Sequence, residues 1–92
     1  MPIFDAGEVY KTDKIDKALC EDASYVQELV DCFVKYLTGN WGDLDDEVRI
    51  SNDLALINQQ RLLATYKTSK GTICITTNSD RAITNILFEE EF

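Results

Sequence analysis

Between Ser24 and Leu37 the apolar positions recur with a helical period. Val26, Leu29, Val30, Phe33, Val34 and Leu37 stand at i, i+3, i+4, i+7, i+8 and i+11, which places six apolar side chains in one stripe. Ser24 and Gln27 have capping-box spacing in front of this run, and Gly39 supplies a stop behind it. In a chain this short the stripe is expected to be core packed on a sheet. Tyr25, Cys32 and Tyr36 then lie toward its borders and are the better candidates for contact with anything external.

Shorter elements flank that helix. Residues 3–10 carry Phe4, Val9 and Tyr10 and are interrupted by Gly7, which suits a strand with a bend or bulge. Asp13 offers an N-cap for a two-turn helix reaching about Asp22, with Ile15, Ala18 and Leu19 on one face. Thr38-Gly39-Asn40-Trp41-Gly42-Asp43 reads as a turn whose last residue caps the next helix. Leu44 and Val48 on one face, and Ile50, Leu54 and Ile57 on an adjoining one, carry that helix to about Asn58. Asp45, Asp46 and Glu47 fill its first turn, where each carboxylate gains about 0.3 to 1 kcal/mol from the helix dipole at an exposed site.

From Arg61 the period changes from helical to alternating. Leu62, Ala64 and Tyr66 point one way and Leu63, Thr65 and Lys67 the other, and Thr68-Ser69-Lys70-Gly71 turns the chain into Thr72 to Thr77. Residues 78–81 form a second connection, and Ala82 to Phe88 a last strand, with Ile83 and Leu87 opposite to Thr84, Ile86 and Phe88. Apolar groups on both faces predict a strand inside the sheet or one covered by helices. The expected fold is α+β: an N-terminal strand, two to three helices, then a three-stranded antiparallel β-meander with the helices packed on one face. Residues 1–92 are expected to form one domain, its helical stripe packed on Leu63, Ile73, Ile75 and Leu87.

Charge narrows the chemistry. Seventeen acidic residues stand against nine basic ones, the formal charge is -8, and there is no histidine. Such a chain is repelled by nucleic-acid phosphates and anionic membranes, and it lacks the usual general base and metal ligand. Cys20, Cys32 and Cys74 are widely spaced and odd in number, so they are expected to be reduced, with Cys32 and Cys74 as core fillers. No metal, no cofactor and no catalytic activity are expected. Nothing resembles a leader or a membrane span, so the expected location is the cytoplasm of a bacterial or phage-infected cell.

The candidate contact residues are few. Asp80 and Arg81 share a connection free of packing demands, though Asp80 can close its own turn and Arg81 can pair with an acid across the sheet. Trp41 is a candidate anchor for a partner, or a core plug between two helices. Asp43, Asp45, Asp46 and Glu47 form one acidic group and Glu89, Glu90 and Glu91 another. They are either solvated faces or an imitation of a phosphate backbone.

The segments Thr38-Gly39-Asn40-Trp41-Gly42-Asp43, Ala64-Thr65-Tyr66-Lys67-Thr68 with Gly71, and Ile75-Thr76-Thr77 with Asp80-Arg81, Thr84, Ile86-Leu87-Phe88 and Glu90-Glu91-Phe92 carry a resemblance. Together they resemble a family of small bacterial proteins found in chromosomes, plasmids and prophages, with the pattern TGDWGD, AYKT-x-x-G, ITE-x-DR-x-x-TTIL and EE before an aromatic. Asn40 and Asn78 replace acids of that pattern. Some relatives carry a restriction-modification subunit label, but a methyltransferase needs a cofactor-binding domain far longer than these residues. The resemblance implies mobile-element biology and no particular activity. With the charge, it leads to an expected inhibitor that blocks the nucleic-acid site of a host defence nuclease such as a CRISPR effector or a restriction enzyme. The partner expected is a protein with a basic surface, with no direct contact to nucleic acid or membrane. The alternative expectation is a housekeeping adaptor or regulatory subunit that binds a protein through Trp41 and the hairpin.

Overall fold

A computed structural model describes residues 4–41 and 46–92. In chain order the elements are β1 (Glu8–Lys11), α1 (Asp13–Glu21), α2 (Ala23–Leu37), α3 (Asp46–Asn58), β2 (Leu62–Thr68), β3 (Gly71–Thr77), β4 (Ile83–Phe88) and a closing 3-10 turn over Glu89–Glu91. The fold is α+β, as the change from helical to alternating period predicts. β2, β3 and β4 form the antiparallel meander, and β1 adds to β4 in parallel, giving the strand order β1-β4-β3-β2. That order makes β4 an inner strand, which accounts for apolar groups on both of its faces.

Register decides which side chains reach the core. Leu62 faces Thr77, Ala64 faces Ile75 and Tyr66 faces Ile73, and across the next ladder Ile73 faces Phe88, Ile75 faces Ile86 and Thr77 faces Thr84. These residues line the helix-bearing face and are all buried. Leu63 and Leu87, expected beneath the helix, instead lie on the opposite face and are half-buried. A strand alternates with period two, so each belongs to the side away from its buried neighbours.

The largest correction concerns α2. Its buried residues are Tyr25, Leu29, Cys32 and Tyr36, whereas Val26, Val30 and Val34 are 45%, 48% and 54% exposed. The apolar arc of the helix is wider than one face, and the aromatic border wins the core. Each tyrosine buries a large ring and still satisfies its hydroxyl: Tyr25 meets Thr68 Oγ1 at 2.7 Å and Tyr36 meets Thr77 Oγ1 at 2.7 Å. Valines offer less area and no such tether.

The caps also shift by a residue or two. Thr12, not Asp13, caps α1, its Oγ1 accepting from the Ile15 amide. Asp22, not Ser24, caps α2, its carboxylate accepting from both the amide and the hydroxyl of Ser24. Those bonds hold the Asp22 carboxyl below the usual range. Gly39 ends α2 as expected, with φ of 84°, the Asn40 amide donating to Lys35 and its own to Tyr36. The expected cap Asp43, with Leu44 and Asp45, lies outside the described residues.

Candidate interaction surface

A chain of hydroxyls crosses the core and fixes the N-terminal segment. Thr84 Oγ1 is 2.7 Å from the carbonyl of Ala6, which can only accept, so Thr84 donates to it. Thr77 therefore donates to Thr84 and Tyr36 to Thr77, at 2.7 Å in each case. Burial pushes the Tyr36 hydroxyl up to about 12, partly opposed by the bond to Thr77, and burial pushes Tyr66 up further still. Beyond Ala6, Gly7 has φ of 65°, and a Cβ there would meet the Ala82 carbonyl oxygen at 2.2 Å. Only glycine fits where the chain passes the start of β4.

Trp41 belongs to this interior. It is 3% exposed, and its ring packs against Tyr36 at 5.6 Å and Phe4 at 6.3 Å between centroids. Its indole donates to Asp53 at 2.9 Å, joining the end of α2 to α3. Buried in this way it offers no surface to a partner, which removes it as the anchor of the adaptor expectation. Of the two readings weighed for it, the core plug describes its position.

Asp80 and Arg81 serve the same corner. Asp80 accepts from the Ala82 amide at 3.0 Å and so closes its own turn. Among the described residues no acid across the sheet pairs with Arg81. With φ of 60°, it donates instead to the carbonyls of Gln60, Ala55 and Asn78, at 2.6, 3.1 and 3.1 Å, and its guanidinium lies 5.9 Å from the Phe4 ring. The Ala55 carbonyl near the end of α3 also accepts from the Gln60 amide at 2.9 Å, and a planar cation with several donors is suited to gathering carbonyls from the helix end and the two loops beside it.

The acidic groups divide. Asp43 and Asp45 lie outside the described residues, Asp46 opens α3, and Glu47 is exposed. In the C-terminal group Glu89 and Glu90 are both exposed, and Glu90 pairs with Lys14 at 3.2 Å on the surface. Glu91 accepts from Thr12 Oγ1 and from the Phe88 amide, at 2.9 and 3.0 Å. The structure thus commits two of those three carboxylates to closing the C-terminal turn over the start of α1.

What remains on the surface is more apolar than a fully buried α2 stripe would leave. Beside Val26, Val30 and Val34 on α2, α3 carries Ile50, Leu54 and Ile57, each at least half exposed. A groove of about 210 Å³ runs along α2, walled by Val26, Val30 and Phe33, closed by Leu19 of α1 and floored by Ile86, with Lys11 at its rim. One sequence signal pointed to it: three β-branched residues at i, i+4 and i+8, which cost helix propensity and which helix formation alone does not favour. A second cleft of similar volume lies between the hairpin tip and Glu89 and Glu90.

Among the described residues no group of three or more Cys, Asp or Glu is placed to hold a metal ion, and no helix is long and apolar enough to cross a membrane. Cys32 and Cys74 are buried thiols, Cys20 is exposed, and all three are free. Burial pushes the Cys32 and Cys74 thiols up. No family model matches the chain, and no curated protein or solved structure is significantly similar to it.

Proposed function

We propose that this chain is a non-catalytic binding protein that docks on a basic protein partner, as an inhibitor or regulatory subunit does. The observation that carries this reading is the row Val26, Val30 and Val34, held about half exposed on a helix whose opposite face is fully packed. Such a row gains nothing from water and slightly weakens the helix, so covering by a partner is the physical reason to keep it. The net charge of -8 selects the partner by sign and steers its approach.

The charge also favours a narrower second reading, in which the partner is a nucleic-acid-processing enzyme of host defence. A CRISPR effector comes first and a restriction nuclease second, with the carboxylates around Glu47 and Glu89 entering its basic groove. Affinity capture from the native host, with wild type, a Val26/Val30/Val34→Ser variant and an Asp45/Asp46/Glu47→Lys variant as baits, separates the two. A partner lost with the serine variant supports docking through α2, and retention of every captured protein by that variant overturns it. Inhibition of a purified nuclease that falls steeply with salt and disappears in the lysine variant supports the narrower reading.

A further inference from the structure

The two edges of the sheet are finished differently. At the β2 edge, Asn52 of α3 donates to the Leu63 carbonyl at 2.6 Å and accepts from the Leu63 amide at 3.3 Å, so a buried side chain occupies the place of a further strand. At the β1 edge, the amides of Glu8 and of Thr12, just past the strand, donate to the carbonyls of Ala82, just before β4, and of Ile86 within it, at 2.9 and 3.2 Å. The alternation of a parallel ladder then turns the amide and carbonyl of Val9, and the amide of Lys11, away from β4. All four residues of β1 are exposed, and among the described residues no further strand pairs with that outer edge. Edges left open in this way invite another strand, and natural sheets normally block them.

The apolar groove lies beside this open edge. Lys11 on β1 and Ile86, its partner on β4, both line it, and Val9 is on the same face of the sheet. A strand added to β1 would direct alternate side chains toward Val26, Val30 and Phe33. Charge gives the sign of that strand. Lys11 is already matched by Asp16 at 3.6 Å and Lys14 by Glu90, whereas among the described residues no cation within 4.0 Å pairs with Asp5, Glu8 or Asp13, the first two accepting only neutral hydrogen bonds, from the Gly7 amide and the Tyr10 hydroxyl.

From the open edge, the adjoining groove and the unmatched carboxylates together, we propose that β1 receives an extended segment of a partner protein as a fifth strand. Its apolar residues at every second position fill the α2 groove, and the lysines or arginines between them meet Asp5, Glu8 and Asp13. Backbone pairing at Val9 and Lys11 supplies affinity, and the groove supplies selectivity. This inference rests on the reading of the chain as a binder of a basic protein, and it names where that partner docks.

The test uses the full chain and a ten-residue peptide alternating valine with lysine, N-methylated along one edge so that it can pair on the other without stacking on itself. Saturating peptide is expected to slow amide exchange at Val9 and Lys11 by about tenfold or more. Val9→Pro removes an amide that β4 does not use, so the fold should persist in the amide spectrum while the peptide no longer binds. Val30→Asp, which leaves the edge intact, should weaken the peptide by about tenfold. A peptide methylated on both edges should not bind.

Unchanged exchange at Val9 and Lys11 under millimolar peptide overturns the proposal, as does equal affinity for a valine–glutamate peptide. Protection of the two amides that rises with protein concentration alone overturns it in favour of a second copy at this edge. If a captured host partner is retained by Val9→Pro but lost with the α2 serine variant, the docking strand is wrong while the binding function stands. Loss of the partner with Val9→Pro supports both.

Discussion

The two faces of α2 are both apolar, yet one carries the fold and the other does not. Tyr25, Leu29, Cys32 and Tyr36 are buried on one side, while Val26, Val30 and Val34 remain about half in water on the other. Hydrophobicity alone does not separate the two rows. The difference is that each tyrosine covers a broad area and ends in a hydroxyl with a threonine waiting on the sheet, so burial costs it no hydrogen bond. An apolar face without such tethers is the one left half in water.

The strongest way to break this contrast is truncation on the buried side. Tyr36→Ala removes a fully buried ring that packs edge-on against Phe4 and Trp41 and opens the chain of hydroxyls. A loss of about 3 to 5 kcal/mol is expected, measured by urea unfolding. Val34→Ala, two residues away, is expected to change stability by less than about 0.5 kcal/mol. Equal losses at the two positions would remove the distinction between the faces.

Alkaline pH tests the same side without truncating it. The folded state holds the Tyr36 proton more tightly than the unfolded chain does, since burial raises the hydroxyl from 10.0 to about 12. This contribution is therefore fully present below pH 10 and is lost as the pH rises toward 12. About 2 to 3 kcal/mol of stability should disappear across that window. Tyr36→Phe should lose only about 1 kcal/mol at neutral pH and show a visibly shallower alkaline decline, with the remainder due to Tyr66. An unaltered decline in the phenylalanine variant would assign the effect elsewhere.

A smaller loss is expected at Arg81, where backbone conformation and side-chain bonds can be separated. Arg81→Lys keeps the charge but cannot reach the carbonyls of Gln60, Ala55 and Asn78 together, and about 1.5 to 3 kcal/mol should be lost. Arg81→Gly loses the same bonds but relieves the left-handed backbone at φ 60°, recovering about 1 kcal/mol of it. Glycine as damaging as lysine, or more so, would mean that the turn is not strained.

These residues also mark how far the sequence could be read. The meander was legible because alternation is local, but the face that meets the helices was not: Leu63 and Leu87 were expected there with Ile73 and Ile75, whereas the register puts Leu62, Ala64, Tyr66, Ile86 and Phe88 beside those two isoleucines. The helix was legible as a helix, but not in its rotation. Its apolar residues span more than half the circumference, and the choice between borders depended on Thr68 and Thr77, more than forty residues away. Arg81 was visible as a loop cation, but its partners are backbone carbonyls, which every sequence contains and none advertises. The parallel addition of β1 to β4 was equally hidden, since it follows from the shape that the helices impose. The open edge at Val9 is a property of that arrangement, not of any motif.

The smallest effect on stability belongs to the exposed face. Replacing Val26, Val30 and Val34 together by alanine removes β-branched residues from a helix surface, and each exchange recovers up to about 0.7 kcal/mol of helix propensity. Against this stands the loss of half-exposed side-chain packing along Leu19 and Phe33, which is of the same order. The triple variant should therefore melt within a few degrees of wild type, measured by circular dichroism, while its tyrosine-borne core is untouched. If it unfolds like Tyr36→Ala, the valines are core after all and the two faces of α2 are one. If it folds as expected but loses the partner or the basic peptide, the helix divides its labour by face, stability to the tyrosines and recognition to the valines.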